Sequence, residues 1–586
     1  MLAVGVFMFW GAGHYTVYDD EAFSCRRYVM PFDEMLRALR NGAEPDPPLY
    51  YLLMNGWTRV FGVGPVALRS LSILLFLLSL PFVRAAGEAW FDRRIGRAAM
   101  VLCALHPAHL FFGFAARWYS LMFLLVAMLL WLTARLAGVD RARDSEPAAG
   151  TPPADHSTPS HQAEPEGFWV CALLIIAWSL AAAAACYTNY FGPVAVALMW
   201  IVGLLCSRRQ RGGALRWIVA GLIAVALFAN WIPPFVDQIT GFPAAEASWR
   251  AFAATAGRTT LALLTGDLAS IQAWWVLAPM AIFGAGLIVL LIIHWRGVWP
   301  VAVIVLGCFA AGVASRTMID KYVMSFSGPA CVLAAALLVR SRESSRPGAA
   351  AGGARSPDLR RDRTGARDRG SETCPRCAWA CRPSRIGAVT LVCLVLGWLG
   401  CGVNLVTQRH WSSLRWLDPF EQVTTELWEG EAGESSPPTA QIITSHPSAR
   451  YYLAALQADR RYKRLSSLDG LLGWRASLVT EPADWHRAFL EQENTTWWNP
   501  TITPECALAQ SVGKGSWPGV FITLQTAGFA TLPDWEALEA QLGLRYRLTR
   551  EHTYLEDPEA ASKDRLDPNV KHPRWRITVR QWEKKR

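Results

Sequence analysis

The sequence predicts a mainly α-helical, polytopic membrane protein, in which a bundle of about eleven transmembrane helices precedes a soluble C-terminal α/β domain. The chain has 586 residues, of which only 18% are charged, and a mean hydropathy of +0.19. An ordinary soluble domain carries about 25% charged residues. Apolar runs long enough to cross a bilayer recur within residues 1–407. Residues 408–586 lack such runs, which separates the predicted membrane domain from the predicted soluble one.

The apolar runs are read as spans because about 20 residues cross a bilayer core about 30 Å thick. The predicted spans lie near residues 1–13, 66–83, 98–114, 118–136, 168–186, 190–206, 215–234, 273–293, 298–314, 322–339 and 386–407. The first is short, and no basic residue precedes it as in a signal peptide. We expect it either to be partly embedded or to begin upstream.

Arginines collect in the loops that follow the even-numbered spans, which makes that side cytoplasmic by the positive-inside rule. The loops 14–65 and 235–270, and the tail from residue 408, then lie outside the cytoplasm of a bacterial-type inner membrane. The net charge of +10 is accounted for by these arginines, so nucleic-acid binding is excluded. Most of the thirteen cysteines lie inside apolar runs, where a thiol acts as a small hydrophobe, and no disulfide framework is implied.

The parts outside the spans differ in composition. The cytoplasmic loops 140–166 and 341–385 are rich in Pro, Ser, Gly, Ala and Arg and are predicted to be disordered. The second carries half of a zinc-site pattern without a matching pair. In the tail, strand-like segments at 440–445 and 519–525 each precede a helix-like segment, at 449–457 and 534–543, which predicts the α/β domain.

The first external loop holds most of the residues that could carry chemistry. Asp19, Asp20 and Glu21 stand where the first span leaves the membrane. A carboxylate partly shielded from water at that edge is suited to general-base work, and the alternative is that these acids only mark an exposed helix end. Apolar residues at helical spacing in 32–39 predict an interfacial amphipathic helix. Asp46 precedes two prolines, either as a functional carboxylate or as a plain N-cap.

The order of several loop motifs resembles the GT-C superfamily of membrane glycosyltransferases. Within that superfamily it resembles most the lipopolysaccharide-core sugar transferases, aminoarabinose transferase and protein O-mannosyltransferases. The resemblance covers roughly residues 1–340, and its motifs are Asp20-Glu21-Ala22, Pro47-Pro48-Leu49-Tyr50-Tyr51, Ala116-Arg117-Trp118-Tyr119-Ser120-Leu121, Tyr187-Thr188-Asn189-Tyr190-Phe191 and Lys321-Tyr322.

The resemblance implies transfer of a sugar from a polyprenyl-phosphate donor to a glycolipid, polysaccharide or protein acceptor at the outer membrane face. The resemblance implies Asp20 as the general base, and Glu21 and Asp46 are further catalytic candidates. It implies Arg117 and Lys321 as the phosphate-binding residues, with Arg316 as a third candidate, because a phosphate leaving group needs cations at the membrane face. From the residues alone, Arg117 could equally be an interfacial snorkelling residue and Lys321 a helix-end charge.

Three positions depart from the family pattern. Asp46 replaces a common His, Lys321 replaces the more usual Arg, and Ala115 stands where an acid often occurs. A divalent cation held by Asp20 and Asp46 is left open, and no other cofactor is expected. Two further functions stay open: a transporter or flippase of a lipid-linked substrate, and a non-catalytic membrane scaffold. The transporter is less favoured because the acids concentrate in one external loop and paired repeats are not evident.

Overall fold

A computed structural model gives the architecture of most of the membrane domain and of the strands in the tail. The structure describes residues 1–14, 17, 19–42, 46–139, 165–208, 210, 212–240, 249–265, 274–315, 320–343, 383–407, 441–444, 465–466, 477–478, 495–497, 520–526, 539–540, 542–555 and 576–585.

The described part of residues 1–136 forms eight helices. They are α1 (Leu2–His14), α2 (Asp19–Tyr28), α3 (Phe32–Arg40), α4 (Leu49–Phe61), α5 (Pro65–Trp90), α6 (Arg93–Leu105), α7 (Pro107–Phe112) and α8 (Tyr119–Leu136). Helix α3 is the predicted amphipathic helix, with Met35 and Leu39 buried while Phe32 is exposed.

The remaining described helices continue the bundle. They are α9 (Pro165–Cys186), α10 (Gly192–Ser207), α11 (Gly213–Phe228), α12 (Ile232–Thr240), α13 (Trp249–Thr265), α14 (Trp274–Ser315), α15 (Ser327–Glu343) and α16 (Pro383–Thr407). Two 3₁₀-helices, Ala229–Trp231 and Asp320–Ser325, lie between them. Every predicted span therefore falls mainly on helical residues, which fits the predicted helical bundle.

Among the described residues, five helices are long and apolar enough to cross a membrane: Pro65–Trp90, Tyr119–Leu136, Trp169–Cys186, Gly213–Thr240 and Trp274–Ala314. Shorter apolar helices lie at Leu2–Gly13, Gly192–Ser207, Ser327–Arg340 and Arg385–Cys401. Much of the surface of the long helices is apolar and turned outward, which is expected where lipid replaces water as solvent.

Helix α8 lies at the centre of the bundle, and 83% of its residues are buried inside the protein. Indole groups of its neighbours bond to it: Trp90 donates to the carbonyl oxygen of Leu130 at 2.9 Å, and Trp178 donates to Oγ1 of Thr133 at 3.0 Å. Hydrogen bonds of this kind hold helices together where no hydrophobic driving force operates. These two bonds tie the C-terminal half of α8 to α5 and α9.

Several predicted spans differ in their limits from the helices that the structure shows. The span predicted at 98–114 is broken at His106, because a residue that precedes proline disfavours helical backbone, and α7 begins at Pro107. The spans predicted at 273–293 and 298–314 form one uninterrupted helical run, α14. Its halves pack on different partners: Gly286 lies against Thr390 of α16, and Gly307 lies against Leu198 of α10.

The tail contains a five-stranded mixed sheet in the strand order β4-β1-β5-β7-β6. The described strands of the tail are β1 (Gln441–Thr444), β2 (Leu465–Ser466), β3 (Ser477–Leu478), β4 (Thr495–Trp497), β5 (Val520–Thr526), β6 (Tyr546–Leu555) and β7 (Arg576–Lys584). Strand β1 is parallel to both β4 and β5, while β7 is antiparallel to β5 and β6. Both predicted strands are present, and the others were not predicted. That the tail forms a soluble, extracytoplasmic domain stays a prediction.

Several sequence-based expectations lie outside the described residues. Residues 140–164 and 344–382 of the two predicted cytoplasmic loops are among them, and so is the predicted helix at 449–457. The edges of both loops are helical, because α9 begins at Pro165, α15 ends at Glu343 and α16 begins at Pro383.

Candidate active site

A cluster of charged and phenolic side chains forms where three parts of the chain meet at one end of the bundle. Helix α2 provides Asp20 and Ser24. The start of α4 provides Tyr51, and Asp46 lies just before that helix. The loop between α7 and α8 provides Arg117, to which Ser24, Tyr51 and Asp46 are all hydrogen-bonded.

The guanidinium of Arg117 is the centre of this cluster. Its Nη2 donates to Oδ2 of Asp46 at 2.9 Å, and its Nη1 donates to the hydroxyl oxygens of Ser24 and of Tyr51, the latter at 3.3 Å. The residue is only 5% exposed. Burial lowers the pKa of Arg117, but the neighbouring Tyr51, Asp46 and Asp20 outweigh burial and raise this pKa well above the usual value. Arg117 is therefore a permanent cation, and it is embedded in the protein, not snorkelling toward an interface.

Asp20 is the half-buried member of the cluster. The hydroxyl of Tyr119, at the start of α8, donates to its Oδ2 at 3.3 Å. The negative charge of Asp20 acts on Arg117, whose pKa it raises. The structure thus brings together the predicted base and the predicted phosphate-binding arginine.

Asp46 is not a plain N-cap of α4. The N-cap position of that helix is Pro48, and no side chain caps it. Instead, Oδ2 of Asp46 accepts from Arg117, and its Oδ1 accepts from Nδ2 of Asn189 at 3.0 Å. Asp46 is 1% exposed, so its carboxylate is a buried ionic partner of Arg117. Such a charge is tolerated in the interior only when it is paired and hydrogen-bonded.

Glu21 follows Asp20 in the sequence but lies in a different environment. Its two oxygens accept from Nε and Nη2 of Arg69 at 3.0 and 2.6 Å, and its Oε1 also accepts from the backbone N–H of Ala116 at 2.6 Å. Arg69 in turn donates to the carbonyl oxygen of Ala12 at 3.0 Å. Glu21 and Arg69 are each 1% exposed. These contacts are those of a positioning residue that joins α1, α2, α5 and the Arg117 loop.

The backbone next to Arg117 is held on both sides. The N–H of Ala116 donates to Glu21, and its carbonyl oxygen accepts from the hydroxyl of Tyr28 at 2.8 Å. Two side chains of α2 therefore fix the Ala116 peptide units, and with them the position at which Arg117 leaves the loop.

Of the other predicted phosphate-binding residues, Arg316 and the side chain of Lys321 lie outside what the structure describes. Tyr322, next to Lys321, is described: its ring is 5.3 Å from that of Trp118. The 3₁₀-helix that carries Lys321 therefore lies against the residue that follows Arg117.

Four residues of the cluster were not assigned a role from the sequence: Ser24, Tyr51, Tyr119 and Asn189. Three of them, Tyr51, Tyr119 and Asn189, belong to the motifs that carry the family resemblance. Their presence in those motifs was the available signal, but the sequence did not show that they point at the same charges.

A divalent cation held by Asp20 and Asp46 stays a prediction. The guanidinium of Arg117 lies against Asp46, where it already supplies the positive charge, and Asn189 donates to the other oxygen of that carboxylate. Among the described residues, no group of three or more His, Cys, Asp or Glu side chains is arranged to hold a metal ion.

Comparison with known proteins identifies the fold. No model of a known protein family matches the sequence, and no curated protein sequence matches it. Among solved structures, ArnT from Cupriavidus metallidurans in the apo state is similar with a TM-score of 0.52 and 12% identity, over 99% of this chain and 96% of that chain. The same protein bound to undecaprenyl phosphate gives a TM-score of 0.49 and 12% identity, over 99% and 97%.

A more distant likeness is to the oligosaccharyltransferase of Archaeoglobus fulgidus, tethered with an acceptor peptide, with a TM-score of 0.40 and 10% identity over 77% of this chain and 62% of that chain. The likeness to ArnT extends over nearly the whole of both chains. This protein therefore shares the fold of ArnT, and its long apolar helices make it a multi-pass membrane protein.

Proposed function

We propose that this protein transfers a sugar from a polyprenyl-phosphate donor to an acceptor hydroxyl, with Asp20 as the general base. The observation that carries the proposal is the half-buried carboxylate of Asp20, hydrogen-bonded by Tyr119 beside the buried Arg117–Asp46 pair. It lies at the end of a bundle with the GT-C fold. Fold alone does not specify activity, so the proposal rests on this arrangement of side chains.

In the proposed reaction, an oxygen of Asp20 accepts the proton of the acceptor hydroxyl as that hydroxyl oxygen attacks the anomeric carbon of the sugar. The bond between this carbon and the phosphate oxygen breaks, and the electron pair leaves with the polyprenyl phosphate. Attack opposite to the leaving group inverts the anomeric centre. Removal of the acceptor proton by a positioned base contributes about 10²- to 10⁴-fold to such a rate.

Arg117, Lys321 and Arg316 are proposed to stabilise the departing phosphate. Fixed cations placed where negative charge develops stabilise a transition state more than they stabilise the ground state. Arg117 is held in place by Asp46, Ser24 and Tyr51 before any substrate arrives. In this proposal its charge acts on the phosphate without a large reorganisation, and Lys321 and Arg316 add further positive charge.

The donor class is proposed from the buried cation of Arg117, which suits a phosphate leaving group, and from the membrane location of the fold. A lipid-linked donor reaches an active site at the membrane surface by lateral diffusion. ArnT from Cupriavidus metallidurans, which shares the fold, binds undecaprenyl phosphate, a carrier of this class. The acceptor is proposed to be a glycolipid, a polysaccharide or a protein.

The proposal is tested by incubating purified protein with a panel of labelled polyprenyl-phosphate sugars, and measuring release of polyprenyl phosphate by slow hydrolysis or by transfer. We expect release with one donor class, and loss of that release in Asp20→Asn. A transporter or flippase would instead move a labelled lipid across vesicles without breaking its sugar–phosphate bond. Transport with all donors intact would overturn the proposed transferase.

The location of the site is proposed to be the outer face of a bacterial cytoplasmic membrane, with the tail on the same side. The arginine-rich loops place the opposite face in the cytoplasm by the positive-inside rule. A reporter that is active only in the cytoplasm, fused after Arg586, should be silent. Activity of that reporter would contradict the proposed side of the tail.

A further inference from the structure

We propose that Asn189 is a positioning residue, which fixes the carboxylate of Asp46 and, through it, the guanidinium of Arg117. The inference deepens the proposed function and rests on it, because Arg117 is assigned there to the leaving phosphate. Asn189 lies in the turn between α9 and α10, distant in the sequence from every proposed catalytic residue.

The carboxamide of Asn189 has an assignable orientation. Its Oδ1 accepts from the backbone N–H of Phe191 at 2.8 Å, so its amide nitrogen must point the other way. There, Nδ2 donates to Oδ1 of Asp46 at 3.0 Å. Because the acceptor end is bound to a backbone N–H, a flipped amide would set two oxygens against each other at Asp46 and leave Phe191 without its bond.

The turn that carries Asn189 is itself rigid. The backbone N–H of Asn189 donates to Ala185 at 3.3 Å, and its carbonyl oxygen accepts from Gly192 at 2.8 Å. A side chain at Gly192 would collide with the carbonyl oxygen of Ala185, so the close return of the chain requires glycine. The turn is also tied to the start of α4, since the N–H of Leu49 donates to the carbonyl oxygen of Tyr187 at 2.9 Å.

Asn189 completes the hydrogen bonding of a buried charge without adding another charge. The Asp46 carboxylate is 1% exposed and faces the cation of Arg117, with Oδ2 2.9 Å from Nη2. One Asp46 oxygen accepts from Arg117 and the other accepts from Asn189, so the carboxylate is held at two points. Without the hydrogen bond from the Asn189 carboxamide, the Asp46 carboxylate could rotate, and its contact with Arg117 would loosen.

The chain offers a matched control in the adjacent residue. Thr188 is equally buried in the same turn, and its hydroxyl donates to the carbonyl oxygen of Ala184 at 2.7 Å. Thr188→Val removes that hydrogen bond and keeps the shape of the side chain. A general disturbance of the turn should therefore appear in both Thr188→Val and Asn189→Ala, and a positioning effect only in the second.

The test is a double-mutant cycle between Asn189→Ala and Arg117→Lys, measured as kcat/KM for the donor that the wild-type protein uses. Asn189→Ala alone should lower kcat/KM roughly ten- to a hundredfold, because a hydrogen bond to a charged group is lost. In the Arg117→Lys background, Asn189→Ala should lower kcat/KM by less than about threefold, because Asn189 acts on the reaction through Arg117. The effect of Thr188→Val on kcat/KM should be the same in the wild-type and in the Arg117→Lys background.

An Asn189→Ala loss of the same size in both backgrounds would overturn the inference, because the two residues would then act separately. If the wild-type protein uses no donor, the proposed function fails. The same four proteins are then compared by their thermal unfolding midpoints. There, non-additive shifts for Asn189→Ala and Arg117→Lys support the positioning of Arg117 by Asn189, and additive shifts overturn it.

Discussion

Two buried arginine–carboxylate pairs lie side by side in this protein and differ in their hydrogen bonds and in their neighbours. In the first, Arg69 and Glu21 meet through two hydrogen bonds, and Ala116 donates a third to Glu21. In the second, Arg117 meets Asp46 through one hydrogen bond at 2.9 Å. The second pair stands beside the half-buried Asp20, and we call it the open pair. Both members of the first are 1% exposed, and we call it the closed pair.

The difference shows how neighbouring carboxylates acquire separate roles. Asp20 and Glu21 are adjacent in α2, and successive helical residues point about 100° apart. Glu21 turns toward α5 and Arg69, while Asp20 turns toward Tyr119 and the Arg117 cluster. The closed pair then supports the open one, because Glu21 fixes the loop peptide next to Arg117. We assign stability to the closed pair and chemistry to the open one.

The largest expected effect is on folding, through the closed pair. Arg69→Ala should destabilise the protein by about 3–5 kcal/mol, because it leaves the buried carboxylate of Glu21 without its cation. The measurement is the thermal unfolding midpoint in detergent. The control is Arg84→Ala, which removes an exposed ion pair with Glu88 and should change stability by less than about 1 kcal/mol. Equal shifts in the two variants would break the assignment of a structural role to the closed pair.

Substitution of Arg117 in the open pair should affect folding less, and sugar transfer more, than substitution of Arg69 in the closed pair. Arg117→Lys keeps the positive charge but loses the planar fork that serves Asp46, Ser24 and Tyr51 at once. Transfer should fall roughly ten- to a hundredfold, from loss of charge-assisted hydrogen bonds. Steady-state kinetics over donor concentration should show changes in both kcat and KM. An unchanged rate would mean that Arg117 serves stability only.

The smallest effect is expected at Tyr119. Tyr119→Phe removes the hydroxyl that donates to Oδ2 of Asp20 at 3.3 Å, a long and therefore weak hydrogen bond. Turnover should fall by only about two- to tenfold, as for a typical neutral hydrogen bond, while the unfolding midpoint stays close to that of the wild type. A loss as large as that of Asp20→Asn would show that Tyr119 itself takes part in the reaction.

Much of the fold could be predicted from the sequence, because span length and apolar composition are local properties. Each predicted span falls mainly on helical residues, and the amphipathic helix at Phe32–Arg40 is present. The break at His106 was missed, although the following proline is a local signal for it. In the tail, the two short strands rich in β-branched residues were predicted, but β6 and β7, which carry many charged residues, were not.

The membership of the site was partly predictable, and its contacts were not. The motif order brought Asp20, Asp46 and Arg117 into one hypothesis, and the structure places them together. Their pairing depends on contacts between distant parts of the chain, such as Glu21 with Arg69 and Asn189 with Asp46. No local pattern distinguishes a carboxylate that will meet a buried arginine from its neighbour in the same helical turn.

The most direct test of the central claim compares Asp20→Asn with Glu21→Gln, measuring turnover per folded molecule and the unfolding midpoint for each. Asp20→Asn keeps the shape but removes the proton acceptor, so turnover should fall by about 10²- to 10⁴-fold with folding largely spared. Glu21→Gln should lower the unfolding midpoint and leave turnover per folded molecule within about tenfold of the wild type, since a positioning hydrogen bond is weakened and not abolished. Asp19→Asn serves as the control for register and should lose much less than Asp20→Asn. Near-normal turnover in Asp20→Asn, or its loss in Asp19→Asn or Glu21→Gln at full folding, would contradict the division of roles between the two pairs.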